Sequence, residues 1–268
     1  MIRTLITGAA GSVGKSLTLQ LLKEGQRVCA FDNSEDALFK LRKSVKDKNL
    51  DENLRDFLGD IRDLSRLRMA LKGCDEVYHC AALKHVGICE YNPFEAIQTN
   101  ILGTNNVVSA CIQENIKKVI LTSSDKAVNP TSMMGASKLV AEKNFIAANN
   151  ITGLNQTKFG VVRFGNVWNT NGSVGRIFLA QINNNKDLTI TDKNMTRFFI
   201  KMQDALDLCR HAMRNLIGGE IFTRSMGAIS IGDLAEAFLK NKPNLTFKII
   251  GRSNGEKLYE ELFTEFEA

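Results

Sequence analysis

Short apolar runs alternate with amphipathic stretches along the first 165 residues of the chain. The apolar runs are nearly continuous, which is typical of strands buried on both faces of a parallel sheet. The pattern predicts strands at Thr4–Thr7, Arg27–Phe31, Asp56–Leu58, Glu76–Cys80, Lys118–Thr122 and Gly160–Phe164. It predicts helices between them at Val13–Lys23, Glu35–Val45, Leu64–Leu71, Pro93–Gln113 and Gly135–Ala148. Strands separated by helices predict an α/β fold with a doubly wound parallel sheet.

The regular alternation of strand and helix patterns ends after Gly165. The Asn- and Gly-rich stretch Asn166–Gly175 is predicted to be a loop. Shorter elements follow, with helices predicted at Arg176–Asn183, Gln203–Asn215 and Ile231–Lys240, and strands at Leu188–Ile190, Arg197–Ile200, Glu220–Thr223 and Phe247–Ile250. We expect one domain of residues 1–165, to which 201–223 return. Residues 166–200 and 224–268 should form a small C-terminal substrate lobe over the sheet edge where open α/β sheets bind ligands.

Composition is that of a soluble globular protein, with 44% hydrophobic and 24% charged residues. No apolar run approaches the roughly 20 residues that span a bilayer, and the N-terminus resembles a strand rather than a signal peptide. The six cysteines form no Cys-x-x-Cys pair, which favours reduced thiols in the cytoplasm. No four ligands at zinc spacing surround His79 and His85, so no metal site is expected. The net charge of +6 comes from scattered lysines, which favours an anionic small molecule over nucleic acid.

A glycine-rich loop joins the first predicted strand to the first predicted helix. In the run Gly8-Ala-Ala-Gly11-Ser12-Val13-Gly14, glycines let the backbone approach a pyrophosphate, and the helix N-terminus supplies N–H donors. The following Lys15-Ser16 also gives a P-loop-like pattern, apart from alanine at its first position. A P-loop needs an aspartate at the end of a later apolar strand to hold magnesium, and Glu76–Cys80 ends without one.

Asp32 favours the interpretation that the loop binds a dinucleotide. It ends the second strand about 20 residues after the loop, where a carboxylate accepts hydrogen bonds from ribose hydroxyls and repels a 2′-phosphate. We therefore predict a Rossmann-type NAD-binding domain that prefers NAD to NADP. Asp32 could also cap the next helix. Further cofactor contacts are expected after the third and fourth strands, from Asp60, Ile61, Ala81 and Ala82.

An acid and a base stand side by side where the fifth strand opens into a loop, in the run Ser123-Ser124-Asp125-Lys126. Met134 and Lys138 follow, four residues apart, so on a helix they share one face. In a nicotinamide enzyme of similar plan we expect a tyrosine at the position of Met134. A thioether cannot take the proton that such a tyrosine accepts.

Together these segments resemble the extended short-chain dehydrogenase/reductases and, among them, the UDP-N-acetylglucosamine 4,6-dehydratase family of polysaccharide biosynthesis. Segments in the family's order carry the resemblance: Ala81-Ala-Leu-Lys84-His85-Val, Ser123-Ser124-Asp125-Lys126-Ala-Val-Asn-Pro130, Met134-Gly-Ala-Ser-Lys138, Arg163-Phe-Gly-Asn166-Val, Met195-Thr-Arg197-Phe-Phe-Ile and Gly255-Glu256-Lys257-Leu. With Met134 at the tyrosine position, the chain resembles the methionine branch of that family.

The resemblance implies NAD-dependent 4,6-dehydration of a UDP-N-acetylhexosamine, with UDP-N-acetylglucosamine as the first candidate. Hydride would leave C4 and return to C6, with water lost across C5 and C6 in between. The resemblance implies Lys126 as the C5 base, Asp125 as the C6 acid, Lys138 at the nicotinamide ribose, and retention at C5. For the C4 hydroxyl proton we expect a relay through Ser124, water or a ribose hydroxyl to Lys138.

The resemblance also implies substrate contacts from the C-terminal lobe and nearby loops, namely Lys84, His85, Arg163, Asn166, Ser173, Arg197 and Glu256. Lys84 and Asn100 are expected beside the cofactor as well. Arg163 and Arg197 could instead form structural salt bridges, and Asn100 could stabilise a helix kink. A UDP-sugar 4-epimerase, which needs no C5 base, and a non-catalytic NAD-binding scaffold are the alternative functions. Two predicted helices, Pro93–Gln113 and Gly135–Ala148, are expected to pair with a second subunit in a homo-oligomer.

Overall fold

A parallel sheet forms the centre of the molecule, whose computed structural model describes residues 1–153, 157–170 and 172–267. The strands are β1 (Arg3–Thr7), β2 (Arg27–Asp32), β3 (Leu54–Leu58), β4 (Glu76–His79), β5 (Lys118–Ser124), β6 (Lys158–Phe164), β7 (Asn166–Val167), β8 (Leu188–Ile190), β9 (Thr196–Ile200), β10 (Ile221–Phe222), β11 (Gly227–Ser230) and β12 (Phe247–Ile249). Within the described residues, seven of them pair in the order β10-β6-β5-β4-β1-β2-β3, all parallel. This order confirms the predicted Rossmann-type doubly wound sheet.

Helices cover both faces of the central sheet. They are α1 (Ser12–Lys23), α2 (Glu35–Lys46), α3 (Leu64–Leu71), α4 (Val86–Tyr91), α5 (Pro93–Ala96), α6 (Thr104–Gln113), α7 (Met133–Ala148), α8 (Val174–Asn183), α9 (Met202–Asn215) and α10 (Ile231–Leu239). Because side chains alternate along a strand, Ile6 packs with α1, α2 and α9, while Leu5 packs with α3, α6 and α7. Both are fully buried, and each such side chain contributes about 2 kcal/mol through the hydrophobic effect.

Smaller sheets form the lobe that faces the carboxyl edge of the central sheet. β9 pairs with β7 and with β11, and β8 pairs with β12. Their common core contains Phe178, Leu188, Met195 and Leu234. Between these segments the chain returns to the main body, because α9 packs on the central sheet and β10 extends it beside β6.

The predicted elements differ from the structure in one helix, in one loop and in two short elements that were not predicted. The predicted helix Pro93–Gln113 is interrupted by a π-helical segment at Ile97–Gly103, a form often found near functional sites. The predicted loop Asn166–Gly175 contains β7 and the start of α8, although Asn171 lies outside the described residues. α4 and β11 were not predicted, because each is short and lacks a clear periodic pattern.

No helix in the described ranges is both long enough and apolar enough to cross a bilayer. All six cysteines are free thiols, five of them buried.

Candidate active site

A cleft of about 1180 Å³ runs along the carboxyl edge of the central sheet, between that sheet and the smaller lobe. The ends of β1, β2, β4, β5 and β6 open into it, as expected for an open α/β sheet. Among the residues predicted to form the site, its wall contains Gly8, Gly11, Ser12, Val13, Gly14, Asp32, Asp60, Ile61, Ala81, Ala82, Lys84, His85, Ser124, Lys126, Met134, Lys138, Asn166, Ser173, Arg197 and Glu256. Most residues suggested by the sequence therefore meet in one place.

The glycine loop is packed too tightly for side chains at two positions. Gly8 has a φ of +64°, and a Cβ there would lie 2.7 Å from the Ala81 backbone nitrogen. A Cβ on Gly14 would overlap the Gly8 carbonyl oxygen. The loop thus presents bare backbone at the N-terminus of α1, which suits a pyrophosphate.

Asp32 ties the glycine loop to the end of β2. Its carboxylate accepts hydrogen bonds from the Ala10 nitrogen at 2.9 Å and the Ser34 nitrogen at 3.0 Å. The cap of α2 is Ser34, whose hydroxyl accepts from the Ala37 nitrogen. In a P-loop, the serine after the lysine binds magnesium through its hydroxyl. Here the Ser16 hydroxyl instead donates to the Ser12 carbonyl inside α1 at 3.0 Å.

Asp60 and Ile61 border the cleft after β3. Burial would raise the pKa of Asp60, but hydrogen bonds from Arg62 outweigh it and lower that pKa. Ile61 is buried against Gly103, where an added Cβ would lie 2.7 Å from the Ile61 Cδ1 atom. This contact packs the loop after β3 against the last residue of the π-helical segment Ile97–Gly103.

The Asp125-Lys126 pair lies where β5 ends. Asp125 is completely buried, and its Oδ1 accepts hydrogen bonds from Ser124 Oγ at 2.7 Å and from Lys126 Nζ at 3.0 Å. The Asp125 Oδ2 atom has no hydrogen-bond partner among the described residues. Ser124 and Lys126 line the cleft, whereas Asp125 lies behind them. Asp125, which the sequence suggested as a residue that acts directly on a ligand, does not itself line the cleft.

The first turn of helix α7 packs against residues 125–132, the segment between β5 and α7 that carries the candidate pair Asp125-Lys126 and is called the catalytic loop below. The Ser132 hydroxyl accepts a hydrogen bond from the Gly135 nitrogen at 3.1 Å, which caps the helix. A Cβ on Gly135 would overlap the Lys126 carbonyl oxygen, so only glycine allows this approach. Met134 and Lys138 both reach the cleft wall from this helix, as their spacing predicted.

Lys138 is buried and donates to the Thr122 carbonyl at 3.1 Å. Burial lowers the pKa of its ammonium group to about 8. A group with that pKa can exchange a proton near neutral pH. Its hydrogen bond to β5 also holds it at the edge of the sheet.

Asn100 does not line the cleft but supports its wall. Its side-chain amide accepts from the Leu83 nitrogen at 2.8 Å and donates to the Leu83 carbonyl at 3.0 Å. It also donates to the Ser137 hydroxyl at 2.9 Å. The expected cofactor contact of Asn100 is thus corrected. The π-helical segment carries Asn100 inward, where it joins the loop after β4 to α7.

Lys84, His85 and Ser173 lie at the mouth of the cleft. Burial lowers the pKa of Lys84, and nearby Arg176 lowers it further. A Cβ on Gly172 would lie 2.7 Å from His85 Cε1, so His85 closely contacts the chain that leads into α8. Ser173 borders the cleft, and its buried Oγ lacks a hydrogen-bond partner among the described residues.

Three charged side chains, those of Arg197, Glu256 and Glu260, meet on the lobe side of Lys126. Arg197 lies 3.8 Å from Glu256 and 3.9 Å from Glu260. Glu260 lies 3.6 Å from Lys126 Nζ, and Asn166 Oδ1 accepts from the same amine at 3.2 Å. Asn166, expected to contact substrate, therefore also orients Lys126.

Arg163 is buried away from the cleft, which corrects its assignment to substrate binding. It pairs with both carboxylate oxygens of Glu142 and Glu267 and donates to the Leu262 carbonyl at 2.8 Å. Burial opposes its charge, yet these carboxylates raise the pKa of Arg163. The same contact lowers the pKa of Glu267 to about 2. The structural salt bridge considered from the sequence is the arrangement found.

Sequence reasoning did not identify Glu260 as a site residue. A Glu-Glu pair near a chain end resembles ordinary exposed surface, and no spacing connects it to Lys126. The weak signal was the Gly255-Glu256-Lys257 motif just before it. That motif brings the segment against the catalytic loop, where Lys257 Nζ donates to the Val128 carbonyl at 2.8 Å.

Comparisons with known proteins agree with this geometry. A family described as polysaccharide biosynthesis protein matches residues 4–268. A UDP-N-acetylglucosamine 4,6-dehydratase (inverting) of Campylobacter jejuni is 44% identical over 259 residues, which cover 96% of this chain and 75% of the relative. A Methanocaldococcus jannaschii protein named as an uncharacterized membrane protein is 43% identical, covering 98% and 80% of the two chains. A UDP-glucose 4-epimerase of Rickettsia rickettsii is 38% identical, covering 98% and 78%.

Solved structures share the fold of this chain. The X-ray structure of Pen from Bacillus thuringiensis has a TM-score of 0.96 and 43% identity, covering 99% of this chain and 84% of that one. A dTDP-glucose 4,6-dehydratase from Streptomyces venezuelae with NAD and TYD bound has a TM-score of 0.85 at 20% identity, covering 98% and 88%, which shows the shared fold. The curated dehydratases confirm the prediction that the chain is an enzyme of the lyase class. The chain belongs to the polysaccharide biosynthesis protein family, the one to which its Asp-Lys and Ala-Leu-Lys-His-Val segments pointed.

Proposed function

We propose that this protein is an NAD-dependent 4,6-dehydratase of a UDP-N-acetylhexosamine, with UDP-N-acetylglucosamine as the substrate to test first. The observation that carries the proposal is the buried Asp125 carboxylate hydrogen-bonded to both Ser124 and Lys126, two residues of the cleft wall. An acid–base pair in that position serves water elimination and has no use in simple epimerisation. The 44% identical relative that bears the dehydratase name supports this choice.

The residues of the cleft fit NAD. The bare glycine loop before α1 would hold the pyrophosphate, and Asp32 would accept from the adenosine ribose. Asp60 and Ile61 would border the adenine, Ala81 and Ala82 would lie along the cofactor, and Lys138 would hold the nicotinamide ribose. When bound, NAD would accept a hydride from C4 of the sugar and return it to C6. The Asp32 carboxylate supports NAD over NADP, because it would repel a 2′-phosphate.

Proton movement follows from the hydrogen bonds of the Asp125-Lys126 pair. Because Asp125 is buried and its two neighbours line the cleft, protons would pass between Asp125 and the sugar through Ser124 or Lys126. Ser124 directs its hydroxyl hydrogen to Asp125, so the C4 hydroxyl proton would pass through Ser124 to Asp125 rather than to Lys138. Asp125 would return that proton by the same route to the departing C6 hydroxyl, which leaves as water.

Lys126, in its neutral form, would take the proton from C5 and later return it. The balance is complete: the C4 hydroxyl hydrogen and the C6 hydroxyl leave as one water, and C5 regains its hydrogen. Because one amine removes and returns that proton on one face of the sugar, configuration at C5 would be retained. The Campylobacter jejuni relative carries the name inverting, so the product's configuration is a direct test of this step.

The lobe side of the cleft would bind the nucleotide end of the substrate. Ser173 Oγ, at the N-terminus of α8, would donate to a phosphate, and Arg197 would add positive charge beside it. Lys84 and His85 border the same region, and Glu256 would accept from a ribose hydroxyl. Arg163 has no part in this arrangement because its guanidinium is held by Glu142 and Glu267.

We also propose a homo-oligomer in the cytoplasm. Phe94, Leu102 and Val140 are exposed apolar residues on the helical segments expected to pair, at 64%, 46% and 41% exposure. Free thiols fit a reducing compartment. Light scattering of the purified protein tests the assembly, and a monomer at micromolar concentration would contradict it.

Incubation with UDP-N-acetylglucosamine, followed by mass spectrometry and NMR of the product, tests the function. We expect loss of one water and a 4-keto-6-deoxy sugar. A 4-epimerase would leave the mass unchanged while altering the sugar spectrum, and a binding scaffold would leave the substrate intact. Either of those results would overturn the proposal.

A further inference from the structure

Glu260 is a buried carboxylate that lies among three cationic side chains. Its side chain is only 3% exposed. Its Oε1 atom lies 3.6 Å from Lys126 Nζ and 3.9 Å from Arg197 Nε, and its Oε2 atom lies 3.0 Å from Lys257 Nζ, without hydrogen-bond alignment. A buried carboxylate is costly unless it is paired, so this convergence is a specific arrangement.

The segment that carries Glu260 is attached to the catalytic loop and to β9 by contacts just before that residue. Thr131 Oγ1 donates to the Gly255 carbonyl at 3.0 Å, and Lys257 Nζ donates to the Val128 carbonyl at 2.8 Å. Arg197 Nη1 donates to the Leu258 carbonyl at 3.3 Å. Hydrogen bonds from side chains to backbone carbonyls therefore fix the position of Glu260 relative to Lys126, and two of the three donors, Thr131 and Arg197, do so without a hydrogen bond to Glu260.

Three oxygen acceptors surround the Lys126 amine: Asp125 Oδ1 at 3.0 Å, Asn166 Oδ1 at 3.2 Å and Glu260 Oε1 at 3.6 Å. A lysine amine sits on a flexible four-carbon chain, so it keeps one position only when neighbouring groups hold it. We propose that Glu260 is a positioning residue, which aims the Lys126 amine into the cleft from the lobe side. The proposal rests on the proposed function of Lys126 as the C5 base.

Glu260 also places a negative charge 3.6 Å from that amine. Asp125 and Glu260 favour the charged form of Lys126, while Lys257 and Arg197 beside Glu260 oppose it; Glu256 faces Arg197 rather than Lys126. Because Lys257 and Arg197 share the Glu260 carboxylate, its hold on the Lys126 proton is limited. Removing only the negative charge should therefore make Lys126 lose its proton at lower pH.

Two substitutions separate position from charge. Glu260→Gln keeps an oxygen acceptor beside Lys126 but removes the charge, so we expect the acid limb of the kcat–pH profile to move about one pH unit lower. Glu260→Ala removes the acceptor as well and should lower kcat about 10- to 100-fold, with KM changed less than threefold. Glu260→Asp should recover part of that loss. Glu265→Gln, at an exposed position on the same segment, is the matched control and should match the wild type in both measurements.

A second measurement does not depend on turnover. In the protein without substrate, the rate of Lys126 acetylation by acetic anhydride, followed by mass spectrometry across pH, reports loss of the amine proton. The Glu260→Gln midpoint should also lie about one unit below the wild-type midpoint. An unmoved midpoint and an unmoved kcat profile would overturn the inference. If the wild type fails to dehydrate the sugar nucleotide, the proposed function fails instead, while the acetylation shift still reports on Glu260.

Discussion

Ser124 donates its hydroxyl hydrogen to the buried Asp125 carboxylate at 2.7 Å, and this hydrogen bond joins the cleft to an acid that does not line it. The position of the missing tyrosine is filled by Met134, a side chain without an exchangeable proton. The Ser124–Asp125 bond therefore gives the C4 hydroxyl proton a route that does not need the tyrosine.

Ser124→Ala should lower turnover about 100-fold or more, because removal of the hydroxyl interrupts proton transfer to Asp125. Ser124→Thr keeps a hydroxyl and should retain most activity. Ser65→Ala, at an exposed position on α3 away from the cleft, is the control and should change turnover less than about threefold. Steady-state kinetics of the three variants checks this, and full turnover by Ser124→Ala would show that the proton leaves by another path.

Asp32→Asn should weaken the preference for NAD over NADP by roughly tenfold. The charge on Asp32 favours ribose hydroxyls and repels a 2′-phosphate, and hydrogen bonds to charged groups contribute about 1.5–3 kcal/mol. Calorimetric titration of both cofactors into cofactor-free protein measures the ratio. Asp36→Asn, at an exposed position on α2, is the control. Equal wild-type affinity for the two cofactors would contradict this role of Asp32.

Gly135→Ala should destabilise the fold by about 1–3 kcal/mol, because the added Cβ must push the Lys126 carbonyl away from α7. The same displacement should lower turnover about tenfold or more, since it moves the catalytic loop. Gly227→Ala adds a methyl group where no atom lies within 4 Å and should change neither property appreciably. Chemical denaturation and kinetics of the pair provide the measurement. A stable, fully active Gly135→Ala protein would show that the loop does not depend on this contact.

The free energy of unfolding should depend on pH through Lys138. Burial lowers the pKa of Lys138 from 10.5 to about 8, so between those values the unfolded chain binds more protons than the folded one. Stability from this group is lowest below pH 8 and rises toward pH 10.5, by up to about 3 kcal/mol. Lys138→Met should lose that rise and should bind NAD more weakly. Denaturation of both proteins at pH 7.5 and 10.5 gives the difference, and parallel pH dependences would exclude the buried ammonium as its source.

Much of the fold followed from local sequence pattern. The strands β1 and β2 each contain a run of apolar residues, and the spacing of the glycine loop between them is typical of a strand–turn–helix unit. The segments β1, α1 and β2 were therefore predicted within a residue or two. The π-helical segment at Ile97–Gly103 could not be predicted, because the inward turn of Asn100 depends on its hydrogen bonds to Leu83, 17 residues earlier.

Chemistry within one segment was easier to predict than chemistry between segments. Ser124, Asp125 and Lys126 are adjacent in sequence, and Met134 and Lys138 share one helical face. Glu260 reaches Lys126 across 134 positions of the chain, and no local pattern marks it. Arg163 shows the opposite error, because its motif suggested a substrate contact and only the structure reveals Glu142 and Glu267 around it.

The most direct test of the account is the Lys126→Ala variant assayed with UDP-N-acetylglucosamine, with loss of water followed by mass spectrometry and NAD binding measured in parallel. Lys143→Ala, at an exposed position on α7, serves as the control. We predict that Lys126→Ala loses dehydration by about 1000-fold while it binds NAD as the wild type does. Undiminished release of water by that variant would contradict the central claim that the Asp125-Lys126 pair performs the elimination.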